Sequence, residues 1–597
     1  MPEANRIDPI IVSVIDNRLD TIAEEMGRTM LRTSRSPIFS ETRDFATAIF
    51  DHQMRMVAQK PFIAVLMGVA SFALKAIARF YEADINEGDI FLVNDPYRGD
   101  NNHLQDFTTA KPVFKHGKLA FWAVTKGHLA DIGGKGFIGY NPLAVSIWEE
   151  GLRIPPVKLY NRGTYQRSVW DMIATNVRQN QLVEGDIHCL VGAANLGERR
   201  LLELMDKYDA ATIDLAIDEL LNASENQVRR EIRKIPNGIY YAERFMDNDG
   251  FNREKMVRIG LKLIVEDDSI TFDYASSDRQ VKGYINSTLA NTYSASYMAL
   301  FTTIDPDIRH NEGAFRPLKI IAPAGTVVNC SEPAPCATCT TSAAATIIEA
   351  AWLALSQAVP ELTQAAWARY SAPVSMGLNP HTGKLYSDIH SFAKGGAGAT
   401  FGFDGWDHLG VVICSGSQLA PDPELHELAE PFFILCYEYL QNSPGAGQWR
   451  GGMGTKYVFR IESDDIVSNN FGDGLLPETA PYGLVGGKGA KPSRLRLIKA
   501  DGEIIDPGVH KFVALNKGDI YEVFETGGGG YGNPFERPVE MVRADVRNEL
   551  ISIESALTDY DVVIDPQTLN VDYNQTNELR GNKKRANAKK QSGGLCS

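Results

Sequence analysis

Cysteine is scarce in this sequence: there are seven in 597 residues, an odd number that is thinly spread along the chain. Small secreted proteins that depend on disulfides carry many more, and in an even number. A chain of this length can also bury a large hydrophobic core without cross-links. The cysteines therefore predict reduced thiols and a cytoplasmic protein.

Basic side chains are in deficit. The 60 lysines and arginines face 75 aspartates and glutamates, which gives a formal net charge of -15 at pH 7. Nucleic-acid binding depends on a basic surface that neutralises phosphates. The charge therefore argues against general nucleic-acid binding.

Long apolar runs are also missing. No run approaches the roughly 20 residues that a membrane-spanning helix needs. The first residues, "MPEANRIDPIIVSVIDNRLD", have no basic segment followed by an apolar one, so they do not resemble a secretory signal. We expect no membrane insertion and a cytoplasmic location.

A phosphate-binding loop is absent as well. The pattern Gly-x-x-x-x-Gly-Lys-Ser/Thr does not occur, and the glycine run "GGGGYG" at 527–532 is followed at once by "NPFERP". A dinucleotide fingerprint needs a helix that opens inside the glycines, which proline resists. We interpret these glycines as turns and expect no nucleotide site on this chain.

The patterns that are present predict an α+β protein without a doubly wound nucleotide domain. Apolar residues recur at helical spacing near the N-terminus and in three helices between about 165 and 235, and strand patterns begin at 238. We predict an N-terminal α/β region (1–235), a central α+β region (236–370) and a glycine-rich β region (371–570). The basic, apolar-poor end (571–597) predicts a disordered, solubilising tail.

Two short motifs concentrate metal-binding side chains. The loop "NDPYRGDNNHLQDF" follows the strand "IFLV" (90–93) and contains His103 and Asp106, while "GHLADIGG" follows the strand "KLAFWAVTK" (118–126) and contains His128 and Asp131. We expect these two strands to be neighbours, which places both motifs at one edge of a sheet. Two imidazoles with a carboxylate suit Zn²⁺, Mn²⁺ or Fe²⁺. The alternative is a buried His128 that is bonded to Asp131 and stabilises a turn.

Several motifs along the chain resemble the hydantoinase B/oxoprolinase family. They are "RDFATAIFD" near the start, "NDPYRGDNNHLQDFTTAKPVF", "HLADIGG", "EGLRIPPVKLY", "NEGAFRPLKIIAPAGTVVN", "GAGQWRGGMGT" and "GGGGYGNPFERP". The resemblance covers roughly residues 8 to 560. It implies one subunit of a hetero-oligomeric, ATP-dependent enzyme whose hydantoinase A-type partner, of actin-like fold, binds ATP and Mg²⁺.

The resemblance also implies a ligand set for one divalent metal ion, Zn²⁺ or Mn²⁺. By position in the motifs the ligands are Asp44, His103, Asp106 and His128, with Asp51 in the same strand as a rival to Asp44. One departure stands out: relatives often have a histidine in the segment that corresponds to "KPFIAVLMG", where this chain has Val65 and Leu66.

The expected activity is hydrolysis of a cyclic amide such as a hydantoin, a lactam or 5-oxoproline. ATP can phosphorylate the amide oxygen of such a ring, which makes the carbon open to attack by water, and a metal ion can assist as a Lewis acid. Asp131 is the catalytic candidate, either orienting His128 or acting as general base. The alternatives are a biotin-independent ketone carboxylase, which would require bicarbonate, and a scaffold for the partner, which would bind no metal.

Two further motifs carry weaker predictions. "CATC" (336–339) has the spacing of a redox or zinc pair, but without a second pair we interpret it as a loop that enters a helix. His310 lies in a polar loop with Glu312 and Arg316. There an ion pair that holds the loop is favoured over a substrate contact.

Overall fold

A computed structural model describes residues 7–581. The helices are α1 (Pro9–Thr33), α2 (Pro37–Ser40), α3 (Val69–Tyr81), α4 (Arg167–Asn176), α5 (Asn180–Lys207), α6 (Ala210–Ile232), α7 (Leu289–Phe301), α8 (Glu312–Phe315), α9 (Ala344–Leu355), α10 (Pro423–Ala429), α11 (Val539–Arg547) and α12 (Ile553–Tyr560).

The strands of the first half are β1 (Phe45–Asp51), β2 (Met56–Pro61), β3 (Ile90–Val93), β4 (Asp106–Lys115), β5 (Lys118–His128), β6 (Val157–Asn161), β7 (Thr164–Tyr165), β8 (Gly238–Met246), β9 (Val257–Glu266), β10 (Ser269–Asp273) and β11 (Leu318–Ile321). Those of the second half are β12 (Ser371–Leu378), β13 (Leu385–Ile389), β14 (Phe432–Tyr439), β15 (Thr455–Ile461), β16 (Ile466–Gly472), β17 (Arg494–Ile498), β18 (Ile504–Ile505), β19 (Phe512–Leu515) and β20 (Ile520–Phe524).

The first sheet is antiparallel and has the order β2-β1-β5-β4-β3-β6-β7. All seven residues of β1 are buried, as are the last eight of β5, because α1, α3 and α5 pack against these strands. The predicted adjacency of 90–93 and 118–126 is wrong. β4 lies between them, since β4 and β5 form a hairpin that pairs more extensively than β3 can.

The other sheets confirm an α+β architecture. Their orders are β11-β10-β9-β8, β13-β12-β16-β19 and β14-β15-β20-β17-β18. Among the strand pairs of residues 7–581, β10 with β11 is the parallel one, so no doubly wound sheet occurs there. One hydrophobic core runs from Ile15 to Val523 through all the predicted regions, and the boundaries near 235 and 370 stay predictions.

The glycine run near the C-terminus forms closely packed extended backbone rather than the turns predicted for it. Gly528 donates to the carbonyl of Gly452, and Gly529 donates to that of Ala366. A Cβ on Gly528 would lie 1.9 Å from the carbonyl oxygen of Ala397. The glycines are therefore needed because neighbouring backbones leave no room for a side chain.

The prediction of a disordered tail is wrong for residues 573–581. Residues 573–581 are helical, and the Arg580 guanidinium donates to the carbonyl oxygens of Tyr560 and Arg537, which fixes this segment to the protein. Residues 582–597, which include the rest of the predicted tail, lie outside the described residues.

One helical stretch in the described chain, Ala64–Tyr81, is apolar enough to cross a membrane by length and composition, with a mean hydropathy of 1.5. Core helices meet the same criterion. Because 61% of this stretch is buried inside the protein and α3 packs on α7, we interpret it as a core helix.

Candidate metal centre

The antiparallel order of three central strands brings the predicted ligands to one edge of the first sheet. Asp106 begins β4 and His128 ends β5, and the two residues pair directly across the strands. Asp44 precedes β1, whose first residue pairs with Gly127, and its carbonyl accepts the amide of His128 at 3.0 Å. The beginnings of two strands thus meet the end of the third.

The loop before β4 adds His103 to this edge. His103 Nε2 lies 2.8 Å from Asp106 Oδ1, and His128 Nδ1 lies 3.3 Å from the same oxygen. The two imidazole centroids are 5.3 Å apart. Potential ligand atoms of all three residues lie within 4.8 Å of one another, and Asp44 Oδ2 lies 3.6 Å from His128 Nδ1. His103, Asp106 and His128 therefore form a buried cluster, and Asp44 lies beside it.

Hydrogen bonds from outside the cluster orient two of these side chains. The Ala337 carbonyl lies 2.8 Å from His103 Nδ1, and since a carbonyl can only accept, this nitrogen carries the hydrogen. In the neutral imidazole the lone pair of Nε2 then faces the cluster. Asn102 Nδ2 donates to Asp106 Oδ2 at 2.5 Å. Such contacts support histidine and carboxylate ligands in metal sites.

Burial and neighbouring charges shift the pKa values of this cluster in different directions. Burial alone would raise the pKa of Asp106, but the charge and hydrogen bond of His103 and the contact with His128 hold it well below its usual value. Desolvation raises the pKa of Asp44 to about 6, although His128 opposes this. Burial lowers the pKa of Lys126 to about 8, against the attraction of Asp106. The centre thus combines an ionised Asp106 with a nearby buried lysine.

Asp131 does not join this centre, so the predicted orientation of His128 by Asp131 is wrong. Its Oδ1 accepts from Arg178 Nη2 at 2.6 Å and from the amide of Gly133, and its Oδ2 accepts the amide of Gln179 at 3.1 Å. No hydrogen bond joins it to His128 in the described chain. β5 ends at His128 and the chain bends at Ala130, so Asp131 is not held in the strand that carries His128.

The same contacts remove support from the two other interpretations of Asp131. It is not among the residues that line the adjacent cavity, which leaves a general base without access to substrate. The alternative of a structural bond between His128 and Asp131 is excluded by the same hydrogen bonds. Asp131 anchors the beginning of α5.

Asp51 lies at the other end of β1 from Asp44. Its oxygens accept from the amides of Gln53 and Arg55 at 2.9 and 2.8 Å, and from Arg55 Nε at 2.6 Å. Seven residues of strand separate the two ends by about 20 Å. Of the two candidate carboxylate ligands, the geometry therefore favours Asp44.

A narrow cavity opens beside the cluster, and its free volume is about 60 Å³. Asp44, His103 and Asp106 line one part of it, and Val65 and Leu66 line another. The segment that departs from the family pattern therefore forms part of the cavity wall.

Sequence patterns missed the residues that reach the cavity from distant parts of the chain. Tyr140 stacks on His128 with centroids 6.0 Å apart, and Phe471 stacks on Tyr140 at 4.8 Å. Gln418 also lines the cavity. No short motif marks these positions. Lys126 could have been found from the sequence, because it is a charged residue in an otherwise apolar strand. It lies two positions before His128 and therefore on the same face of the sheet.

The two weaker motifs have structural roles. Cys336 and Cys339 are buried, and a π-helical turn, Cys339–Ala343, leads from the loop into α9 as predicted. Glu312 pairs with Lys75 at 3.2 Å and Arg316 with Glu225 at 3.1 Å, which confirms the favoured ion pairs. These motifs therefore need no catalytic interpretation.

Comparison with protein families and curated sequences gives matches over nearly the whole chain. A family model described as hydantoinase B/oxoprolinase matches residues 8–534. The beta chain of the caprolactamase of Pseudomonas jessenii is 36% identical over 94% of this chain and 97% of its own. A candidate B-type chain of a D-/L-hydantoinase from Pseudomonas sp. (strain NS671) is 31% identical, over 97% and 99%.

Solved structures agree with these sequence matches. The crystal structure of the ATP-dependent caprolactamase from Pseudomonas jessenii matches with a TM-score of 0.90 and 35% identity, over 97% of this chain and 100% of that one. A nucleotide-free acetone carboxylase also matches with a TM-score of 0.90, over 99% and 84% of the chains. Its 20% identity shows a shared fold alone.

Proposed function

Because this chain belongs to the hydantoinase B/oxoprolinase family, we propose that it is the metal-binding subunit of an ATP-dependent cyclic amide hydrolase. The similar proteins are named as the beta chain of a caprolactamase and the B-type chain of a hydantoinase, names that imply a second kind of subunit. The proposed partner is a hydantoinase A-type chain that binds ATP and phosphorylates the amide. The cytoplasmic location stays a prediction.

The observation that carries this proposal is the position of the cluster at the wall of the cavity. His103, Asp106 and Asp44 line this narrow cavity, and the sheet behind them is buried. A substrate carbonyl in this space would meet the imidazole and carboxylate groups without bulk water. Water exclusion strengthens every electrostatic interaction there.

The cavity lining supports an uncharged substrate ring. Val65, Leu66, Ile413 and Phe471 provide apolar surface, and the lining within residues 7–581 contains neither lysine nor arginine. A substrate with its own carboxylate, such as 5-oxoproline, would lose hydration there without gaining a lysine or arginine partner from the cavity lining. We therefore favour a lactam or an unsubstituted hydantoin over 5-oxoproline.

The donor set fits one Zn²⁺ or Mn²⁺ ion. His103 Nε2, His128 Nδ1 and a carboxylate oxygen of Asp106 would hold it, with Asp44 as a fourth donor. When bound, such an ion polarises a carbonyl or lowers the pKa of a water molecule. Asn102 and the Ala337 carbonyl keep Asp106 and His103 in orientation, and Tyr140 covers the face of His128.

Metal analysis of the purified chain tests the proposed centre. We expect His103→Ala and His128→Ala to lose the bound ion, because each removes one of two nitrogen donors, and Asp44→Asn to bind it at least tenfold more weakly. Asp51→Asn, at the other end of β1, is the control and should bind as much metal as the wild type. Full occupancy in both histidine variants, by elemental analysis, would disprove the centre.

Turnover by the complex of the two chains tests the reaction. With ATP we expect hydrolysis of caprolactam or hydantoin without bicarbonate, and none by this chain alone. Acetophenone consumption that depends strictly on bicarbonate would support the carboxylase alternative. A complex that stays fully active when His103→Ala has lost the ion of this centre would support the scaffold alternative.

A further inference from the structure

A second group of potential ligands lies where β13 ends opposite α10. Asp388 is near the end of β13, His390 follows this strand, and His426 projects from α10. His390 Nε2 and His426 Nε2 lie 3.6 and 3.7 Å from Asp388 Oδ2, and one ligand atom from each residue lies within 4.8 Å of the others. These distances are too long for hydrogen bonds, but they leave room for one ion between the three atoms.

Two of these atoms are buried without a hydrogen-bond partner. His426 is 7% exposed, and its Nε2 has no hydrogen-bond partner among the described residues. Asp388 Oδ2 is also a buried atom without such a partner there. A buried polar atom without a partner loses its hydration and gains no hydrogen bond in return, so native proteins rarely keep one without a reason. A cation between these two atoms would satisfy both.

Acidic side chains without a basic ion-pair partner among residues 7–581 surround this group, and their raised pKa values favour the uncharged form. Burial and the nearby Asp388 raise the pKa of Glu430 to about 9, and burial and Asp388 also raise the pKa of Glu41. In the described part of the chain, no lysine or arginine forms an ion pair with Asp388, Glu430 or Glu41, whereas His390 and His426 do face Asp388. A bound cation would supply the positive charge that this group lacks.

His390 is held in a form that can bind a metal. It is fully buried, and a hydroxyl group contacts each of its ring nitrogens. Its Nδ1 lies 3.2 Å from the Tyr457 hydroxyl and its Nε2 lies 3.0 Å from the Ser375 hydroxyl. Rotation of that serine hydroxyl frees Nε2 for a metal, while the contact with Tyr457 keeps the ring in place.

A cavity of about 920 Å³, including its mouth, gives access to this group. Asp388, His426, Glu430 and Glu41 line it. A cation can therefore enter, and water can complete its coordination. Ile389, between two of the ligands, lines both this cavity and the one beside His103.

We propose that Asp388, His390 and His426 form a second divalent-cation site, of the kind that Zn²⁺ occupies with two histidines, one carboxylate and water. The site is separate from the His103 cluster. Bound metal would join β13 to α10 and fix the position of Ile389 in the wall of the substrate cavity.

Zinc binding to the chelator-treated full-length chain tests this proposal. Calorimetric titration and elemental analysis should give two zinc ions per wild-type chain. Asp388→Asn and His426→Phe should each bind one, as should His103→Ala, and the His103→Ala/His426→Phe double variant should bind none. Phenylalanine keeps the stacking of position 426 on Phe432. His188→Gln, at an exposed histidine, is the control and should bind two.

Thermal unfolding distinguishes lost binding from misfolding. Zinc should raise the melting temperature of His103→Ala and should leave that of the double variant unchanged. Two zinc ions retained in both Asp388→Asn and His426→Phe would overturn the proposal, as would a single wild-type ion that is lost in His103→Ala. A single ion that is lost in His426→Phe and kept in His103→Ala would support this site and contradict the metal centre proposed above.

Discussion

At the scale of single residues, Asp131 shows how a carboxylate close to a histidine in sequence can serve another element. Its oxygens pair with Arg178 and accept amides at the beginning of α5. Asp131→Asn keeps the shape but removes the charge, and charge-assisted hydrogen bonds contribute about 1.5–3 kcal/mol. We expect a loss of about 2 kcal/mol in chemical denaturation with unchanged metal content.

The control is Asp206→Asn, which breaks an exposed pair with Lys115. Exposed pairs contribute about 0–1 kcal/mol, so this variant should be nearly neutral. Loss of metal from Asp131→Asn at unchanged stability would show that Asp131 acts on His128 after all.

His310 is a residue with a pH-dependent effect on stability. It packs on Phe301 with centroids 4.5 Å apart, and burial lowers its pKa to about 4. The unfolded chain takes up a proton below pH 6.5 and the folded chain does not, so the protein loses stability as pH falls from 6.5 to 4. Above pH 6.5 this effect is absent.

His310→Phe keeps the ring packing and removes the titrating group. The difference in unfolding free energy between pH 7 and pH 4.5, measured with urea, should be smaller in the variant by about 2 kcal/mol. The exposed His188 provides the control, since His188→Gln should leave the difference unchanged. If the stability of His310→Phe depends on pH as strongly as that of the wild type, the effect does not come from His310.

At the scale of elements, chain direction assembles the proposed metal centre. β1 and β4 begin at the edge where β5 ends, because both pair antiparallel with β5. Asp44 and Asp106 therefore meet His128, while Asp51 is carried to the far edge. A shift of one residue in either pairing would turn the side chains to the other face of the sheet.

The glycine-rich segment predicts unequal effects of the same substitution at two positions. Gly528→Ala would place a Cβ 1.9 Å from the Ala397 carbonyl oxygen, and backbone cannot yield there. We expect a loss of about 3 kcal/mol or more. Gly192→Ala in α5 meets no atom within 4 Å and should be neutral or stabilising by up to about 1 kcal/mol. If the denaturation curves of the two variants coincide, this account is wrong.

At the scale of the whole molecule, a buried ion network joins the central helix α9 to the last third of the chain. Glu349 accepts from Arg369 at 2.8 and 2.7 Å and from Arg244 at 2.9 Å. Arg244 also donates to the carbonyl oxygens of Thr479 and Ala480. Charges buried this deeply are tolerated because they are paired.

Glu349→Gln would leave two buried guanidinium groups without a negative partner. Removal of one member of a buried network costs about 3–5 kcal/mol, and we expect a loss of this size in chemical denaturation. Glu243→Gln is the control, because Glu243 forms an exposed pair with Arg258. If Glu349→Gln unfolds like the wild type, the network does not hold these regions together.

The sequence by itself determined the elements whose side chains repeat at a regular spacing. The helices at Pro9–Thr33 and Asn180–Lys207 and the strands at Phe45–Asp51 and Gly238–Met246 lie where periodicity predicts them. The His-x-x-Asp motifs were also visible, because their ligands are close together in the chain. Local spacing is enough for both kinds of feature.

Only the tertiary structure decided which distant residues meet. In the folded chain β4 lies between the two predicted strands. Strand direction places Asp44, and not Asp51, beside His128. Asp131 pairs with Arg178 just before α5. The tertiary structure also brought Phe471 to the first cavity and His426 to Asp388. Such contacts depend on strand pairing and on the packing of a common core across hundreds of residues, and no local pattern in the chain records them.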